Sequence, residues 1–174
     1  MTEDSDWQPG VVFTHTLSLI LDDEAQEVLR DVRNRLMAAG IPVLHEPAHV
    51  TVAAVSTMNG VDSDLVDVGW PERVTLTTSC YTAAAAVFRA SRVPEALRRP
   101  HEALHRRLAE VGVTAFNYYG PRWWNPHVTM GYQVPPELRG RAVELLADVV
   151  PLEVGVMGIS VWCVGNGQTY ALWS

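Results

Sequence analysis

Cysteine is scarce in this chain: only Cys80 and Cys163 occur among 174 residues. Two cysteines far apart do not build a disulfide framework, and their spacing matches no zinc site, so both read as small core residues. Positive charge is also short. Thirteen basic residues face twenty acidic ones, giving a formal net charge of −7 and a pI near 5.3. That balance argues against a protein that grips long RNA or DNA through many phosphate contacts, which needs a basic surface. It leaves room for a small phosphorylated ligand, which a few local cations and dipoles can hold. No apolar run approaches the roughly 20 residues that span a membrane. The acidic, polar stretch Met1 to Gln8 does not read as a signal peptide. The expectation is a cytoplasmic protein with no membrane partner.

What is present is a globular composition, with 48% hydrophobic residues and enough length for one compact domain. Val11 to Leu21 alternates in the manner of a strand. Asp22 and Asp23 offer N-cap chemistry for a helix to about Ala39, with Val28, Val32, Leu36 and Ala39 at helical spacing and Gly40 as its stop. After a proline-bearing loop, Ile41 to Ala48, comes a β-branched run, His49 to Val55. Asn59-Gly60 signals a turn, and Asp62 to Asp67 a surface loop or short helical turn. Arg73 to Cys80 and Thr82 to Ala90 read as strands. Pro94 opens a second helical region that ends at Gly112, with Pro100 expected to split or restart it. Phe116 to Trp124 is an aromatic loop, and His127 to Val134 a further strand. Pro135-Pro136 starts a helix over Glu137 to Val149. Leu152 to Val164 and Gln168 to Trp173 form a hairpin around Gly165-Asn166-Gly167.

This order repeats. A strand, a helix ending in glycine, a proline-bearing loop and a His-Val-Thr strand span Val11 to Val55, and the same order recurs in Thr82 to Val134. The expectation is a single α+β domain over residues 1–174 with antiparallel sheets and flanking helices. It is bilobal, built from pseudo-repeats at about 11–56 and 82–134 related by a pseudo-two-fold axis. Residues 135–174 add a C-terminal helix and hairpin.

The repeated tripeptide carries the chemistry. Residues i and i+2 of a strand share a face. His49 and Thr51 therefore project together, away from Val50 and Val52; His127 and Thr129 project away from Val128 and Met130. In-line displacement at a phosphate ester needs a base on the attacking oxygen and an acid on the leaving oxygen. Two histidines fill those roles near neutral pH. Two threonine hydroxyls can donate to the non-bridging oxygens. No metal and no cofactor are required.

The pair of motifs resembles the signature of the 2H phosphoesterase superfamily, which includes bacterial 2'-5' RNA ligases and 2',3'-cyclic nucleotide phosphodiesterases. The resemblance runs from Val11 to the final hairpin. It implies a bilobal α+β fold with both motifs in a central cleft, His49 and His127 as acid and base, and Thr51 and Thr129 as phosphate-binding groups. It further implies opening of a cyclic phosphodiester in a small nucleotide or an RNA end. Tyr132 stands where many members of the RNA-ligase branch carry an arginine, and the first motif strand ends Val55-Ser56 in place of an apolar residue and glycine. The resemblance is thus to the superfamily's chemistry more than to that branch.

Other residues compete for a role. The zinc-peptidase pattern H-E-x-x-H occurs at His45 to His49, where Pro47 forbids the helix that ligation at i and i+4 needs. It occurs again at His101-Glu102-Ala103-Leu104-His105 on the second helix, leaving a zinc hydrolase as an alternative. There the plainer reading is that His101 extends the stripe of Leu97, Leu104 and Leu108, with His105 partly exposed. His15 reads as a core histidine with a cleft-lining alternative. In the aromatic loop, Tyr118, Tyr119, Trp123 and Trp124 are candidates to stack on a base, and Arg122 to hold a phosphate. A non-catalytic nucleotide-binding module on the same fold is a third reading. Oligomeric state and natural substrate are not legible.

Overall fold

The computed structural model describes residue 8, residues 10–82 and residues 85–173. The first strand, β1 (His15–Leu21), begins later than its alternation predicts. The helix α1 (Asp23–Ala38) is capped by Asp22, whose carboxylate accepts from the Ala25 amide at 2.9 Å. Its buried stripe is Ala25, Leu29, Val32 and Leu36, which includes the expected Val32 and Leu36 but has Leu29 in place of Val28. Gly40, at φ 74°, turns the chain out of it. Next come β2 (His49–Val55) and a single helical turn, α2 (Ser63–Val66).

The strand expected over Arg73 to Cys80 is two strands, β3 (Arg73–Leu76) and β4 (Thr78–Thr82). The chain changes sheets at Thr77, whose amide bonds to Arg89 O at 2.9 Å and whose hydroxyl donates to Ser91. Thr82 thus closes β4 instead of opening the next strand, β5 (Ala85–Arg89). The expected break at Pro100 is absent, since α3 (Glu95–Glu110) runs through it. Pro100 lies in the second turn, so it removes one amide, the one that would bond to Ala96 O. Ala96 is exposed, and its freed carbonyl can reach water. Then follow β6 (His127–Tyr132), ended early by Gln133 at φ 51°, α4 (Arg139–Ala147) after a short 3-10 turn, β7 (Leu152–Cys163) and β8 (Thr169–Trp173).

The strands form two antiparallel sheets, one in the order β2-β1-β7 and the other β4-β5-β6. On the far edge of β7, β3 pairs with Leu152 to Gly155 and β8 with Ile159 to Trp162. The fold is α+β, as expected. Leu17, Leu19, Leu29, Leu36, Phe88, Leu104 and Met130 are fully buried in one continuous core drawn from both halves of the chain.

Two features place the motif strands. First, each half lends an extended stretch to the other. After α1, Pro42 and Leu44 bond to β6, through Tyr132 N to Pro42 O at 3.1 Å and Leu44 N to Met130 O at 3.3 Å. After α3, Thr114 and Phe116 bond to β2, through Ser56 N to Thr114 O at 3.0 Å and Phe116 N to Ala54 O at 2.8 Å. Second, each motif is followed by a β-bulge. Against β1 the register steps from Thr51 to Ala53, leaving Val52 as the extra residue. Against β5 it steps from Thr129 to Gly131, leaving Met130 as the extra residue. Bulges end the pairing rhythm and re-aim side chains. Here they fall at matching positions, just after each threonine.

Gly155 guards the start of α1. A Cβ there would collide with the carboxylate of Asp22, which is pinned by its cap bond and whose own amide bonds to Gly155 O at 3.0 Å. Asp22→Ala should cost about 1 kcal/mol, the usual worth of an N-cap. Gly155→Ala should displace the same cap. Urea unfolding of both single variants and the double should give a double-variant loss clearly below the sum; simple additivity would show that Gly155 acts elsewhere.

Candidate active site

Each motif histidine is held in the same way. The Nδ1 of His49 lies 2.8 Å from Pro47 O, and the Nδ1 of His127 lies 2.8 Å from Asn125 O. A carbonyl only accepts, so each Nδ1 carries the proton and donates it. Both neutral rings are therefore fixed as the tautomer with a lone pair on Nε2. In both cases the acceptor sits two residues before the histidine, at the proline-marked entry to the strand. Ala48, between Pro47 and His49, is gripped by the Gln26 side chain of α1 in both directions: Nε2 donates to Ala48 O at 2.7 Å, and Ala48 N donates to Oε1 at 2.9 Å.

The first motif is also anchored from the opposite half. The indole Nε1 of Trp124 donates to Thr51 O at 2.9 Å, and the Ser18 hydroxyl donates to the Thr51 hydroxyl at 3.4 Å. Trp124 stacks on His101 with ring centroids 3.8 Å apart and planes 4° from parallel. The Nε2 atoms of His101 and His105 converge on Val52 O at 3.0 and 3.1 Å. The bulge after the first motif thus frees a carbonyl, and α3 supplies two imidazole donors for its two lone pairs.

That arrangement settles the character of the second H-E-x-x-H. His101 is 1% exposed and its pKa is pushed down to about 3 by burial, with the neighbouring His105 adding to the effect and the carbonyls of Val52 and Tyr119 opposing it. The pKa of His105 is lowered too, again mainly by burial. Both rings are neutral donors to a backbone oxygen. Among the described residues no group of three or more His, Cys, Asp or Glu side chains converges to hold a metal ion. A catalytic zinc site needs three such ligands, so the zinc reading of His101, Glu102 and His105 does not fit.

Of the four motif residues, His127 lines a recess of about 60 Å³, together with Arg89, Asn125, Tyr119 and Trp124, with Tyr118, Trp123, Val87 and Thr82 around it. His127 has a lowered pKa. Burial is the main cause; the Asn125 carbonyl opposes it, and the charges of His49 and Arg89 add to it. The two imidazoles are thus within electrostatic reach of one another. Tyr119 lines the recess beside His127, and Thr51 is near enough to oppose slightly the effect of burial on its hydroxyl. Burial raises its pKa and keeps it a neutral phenol.

Four of the five aromatic-loop candidates, Tyr118, Tyr119, Trp123 and Trp124, border the recess. Trp124 is mostly buried and structural, whereas Trp123 is 56% exposed. Arg122 lies outside the lining. Its guanidinium sits over the Trp123 ring, 4.8 Å from the centroid. His15 is half-buried and hydrogen-bonded to the Thr14 hydroxyl at 2.7 Å, so it is neither a core residue nor a lining one. Sequence reasoning missed Arg89 and Asn125. The usable signal for Arg89 was its i, i+2 relation to Val87 on a strand, but which strand would lie beside it was not readable.

The same arrangement of sheets and helices occurs in solved structures. E. coli LigT complexed with 3'-AMP superposes with a TM-score of 0.60 at 15% identity, covering 93% of this chain and 94% of that one. The MHV ns2 PDE domain gives 0.55 at 10% identity, covering 94% and 99%. A crystal structure described as a phosphoesterase gives 0.57 at 14% identity, covering 93% and 95%. The chain shares the fold of these structures. No family model matches the sequence, and no curated protein matches it. Among the described residues no helix is long and apolar enough to cross a membrane.

The burial of His101 has a measurable consequence. Below its ordinary value of 6.5 and down to about 3, the unfolded chain binds a proton that the folded chain refuses. Stability is therefore lost as pH falls through that window. Urea midpoints measured along a pH series should fall less steeply for His101→Gln than for the parent below pH 6.5. Parallel slopes would mean that His101 accepts a proton in the folded state.

Proposed function

We propose that this chain is a metal-independent phosphoesterase that opens 2',3'-cyclic phosphates, or related cyclic phosphodiesters, of small nucleotides or RNA ends. The observation that carries this reading is the mirrored pair of Nδ1–H···O=C bonds, which gives His49 and His127 the same tautomer on strands with matching bulges. The fold supports it, since E. coli LigT has been solved with 3'-AMP, ATP and NADP+.

His127 acts as the base. Burial and the charges of His49 and Arg89 keep it neutral, so its Nε2 lone pair takes a proton from the attacking water. The new bond joins that water oxygen to phosphorus as the bond from phosphorus to the leaving ribose oxygen breaks. Protonated His49 gives its Nε2 proton to that oxygen. The hydroxyls of Thr51 and Thr129, on the same strand faces as the histidines, donate to the non-bridging oxygens. Trp123 and Tyr118, exposed at the rim, supply surfaces for a nucleobase to stack upon. One proton is shared by the pair in the active state, so the rate peaks between two apparent pKa values that belong to both residues.

Turnover of 2',3'-cyclic AMP, with full activity in excess EDTA, is the primary test. Binding without turnover would favour a non-catalytic nucleotide module, and loss on chelation restored by zinc would overturn metal independence. Alanine at His49 or His127 should lower kcat/KM by about 10²–10⁴-fold. Valine at Thr51 or Thr129 should cost less, on the order of 10–10³-fold. A substrate with an activated leaving group needs no acid. It should partly rescue His49→Ala and leave His127→Ala inactive; the opposite pattern would exchange the two roles.

A further inference from the structure

The recess beside His127 holds groups that the acid/base pair does not use. Arg89 stands directly opposite His127 in the β5–β6 register, so the two side chains share a face with Cβ atoms about 5 Å apart. Both line the recess. Arg89 is half-buried, and its Nε is a buried donor with no hydrogen-bond partner among the described residues. No carboxylate among those residues lies within ion-pair distance of it, whereas Arg73, Arg98 and Arg99 each hold a glutamate. The chain contains no lysine, so the permanently charged cations it can bring to the recess are arginines. Across the same recess, Asn125 presents a buried Oδ1 that likewise lacks a partner, while its backbone carbonyl holds His127.

An unmet buried donor and an unmet buried acceptor each carry a desolvation penalty. A ligand relieves both if it brings an anionic oxygen to the guanidinium and a hydroxyl to the amide oxygen. A ribose 2'- or 3'-monophosphate, the form left when a 2',3'-cyclic phosphate is opened, presents that pair on neighbouring carbons. The aromatic side chains Tyr118 and Trp123 also border the recess, where a base could lie.

We propose that Arg89 binds a phosphoryl oxygen of a ribose phosphate beside His127, with Asn125 accepting from the adjoining hydroxyl. This assigns to Arg89 the phosphate-holding role that the sequence pointed to in Arg122, which lies outside the recess lining with its guanidinium over the Trp123 ring. Its bearing on catalysis rests on the phosphoesterase reading; its bearing on binding does not. The charge of Arg89 also contributes to the lowered pKa of His127, so removing it should raise that pKa.

The test is titration calorimetry with inorganic phosphate, in parallel with kinetics on 2',3'-cyclic AMP. The proteins are the parent, Arg89→Gln, Arg89→Lys and Arg122→Gln, with circular dichroism to verify folding. Arg89→Gln should weaken phosphate on the order of 10–100-fold, the scale of a charge-assisted hydrogen bond. It should raise KM more than it lowers kcat and move the acidic limb of the pH profile upward. Arg89→Lys keeps the charge and loses the planar fork, so it should fall between and carries the test if the glutamine variant does not fold. Arg122→Gln should bind phosphate like the parent. Unchanged phosphate affinity in folded Arg89→Gln, an equal loss in Arg122→Gln, or no phosphate binding by the parent would each overturn the assignment. Arg89-dependent phosphate binding without turnover would leave this site standing and remove the catalytic reading. His127-dependent turnover that is indifferent to Arg89 would do the reverse.

Discussion

The placement of both motif strands depends on the reciprocal exchange of backbone between the two halves. An edge strand left open offers unpaired amides and carbonyls to any partner. Here the loop after α1 bonds to β6, and the loop after α3 bonds to β2. Neither motif strand can shift without tearing bonds made by the opposite half, so the relative position of the two histidines is a backbone property. Side chains then refine it. Gln26 grips the residue before His49, and Trp124, from the loop that precedes His127, holds the carbonyl of Thr51. Acid/base chemistry needs reacting groups held within fractions of an ångström, and a frame fixed from both sides is suited to that demand.

Much of this was written in local patterns. The start and stop of α1 follow from Asp22 and Gly40, and β2 begins at His49 where the β-branched run begins. The motif residues were legible because i, i+2 spacing is a property of any strand. What escaped was set by pairing at a distance. The split at Thr77 depends on bonds to Arg89 and Ser91, which no local propensity encodes. Pro100 lies inside a continuous helix because Ala96 faces outward, so losing one amide there matters little. The bulges at Val52 and Met130 depend on partner strands. Arg89 became visible only once β5 was laid against β6.

The histidines of α3 show how context overrides a motif. H-E-x-x-H on a helix offers two imidazoles on one side, and that geometry can serve a metal or any other acceptor with two lone pairs. The acceptor here is Val52 O, freed by the bulge that follows the first motif. A buried carbonyl without a donor would be costly, so the bulge and the histidine pair stabilise one another. The stack of His101 on Trp124 carries the arrangement through to Thr51 O. A sequence pattern associated with metal chemistry thus braces the strand that bears the other histidine motif.

A net charge of −7 and an anionic ligand are compatible once charge is considered locally. Surface carboxylates lie in water, where screening confines their influence to about a Debye length of 10 Å. Several are moreover paired with arginines, as Glu95, Glu102 and Glu153 are. Inside the recess the dielectric is lower and a single guanidinium counts for more. Arg89 and His127 lie side by side there. Burial lowers the pKa of His127, and the charges of His49 and Arg89 add to the effect, so the free protein favours the neutral ring. In the proposed reaction a phosphoryl anion bound at Arg89 would offset that residue's charge and so stabilise an imidazolium at His127. Arg89, a minor contributor beside burial to the lowered pKa of His127, thus ceases to oppose protonation of that ring once a phosphoryl group is bound.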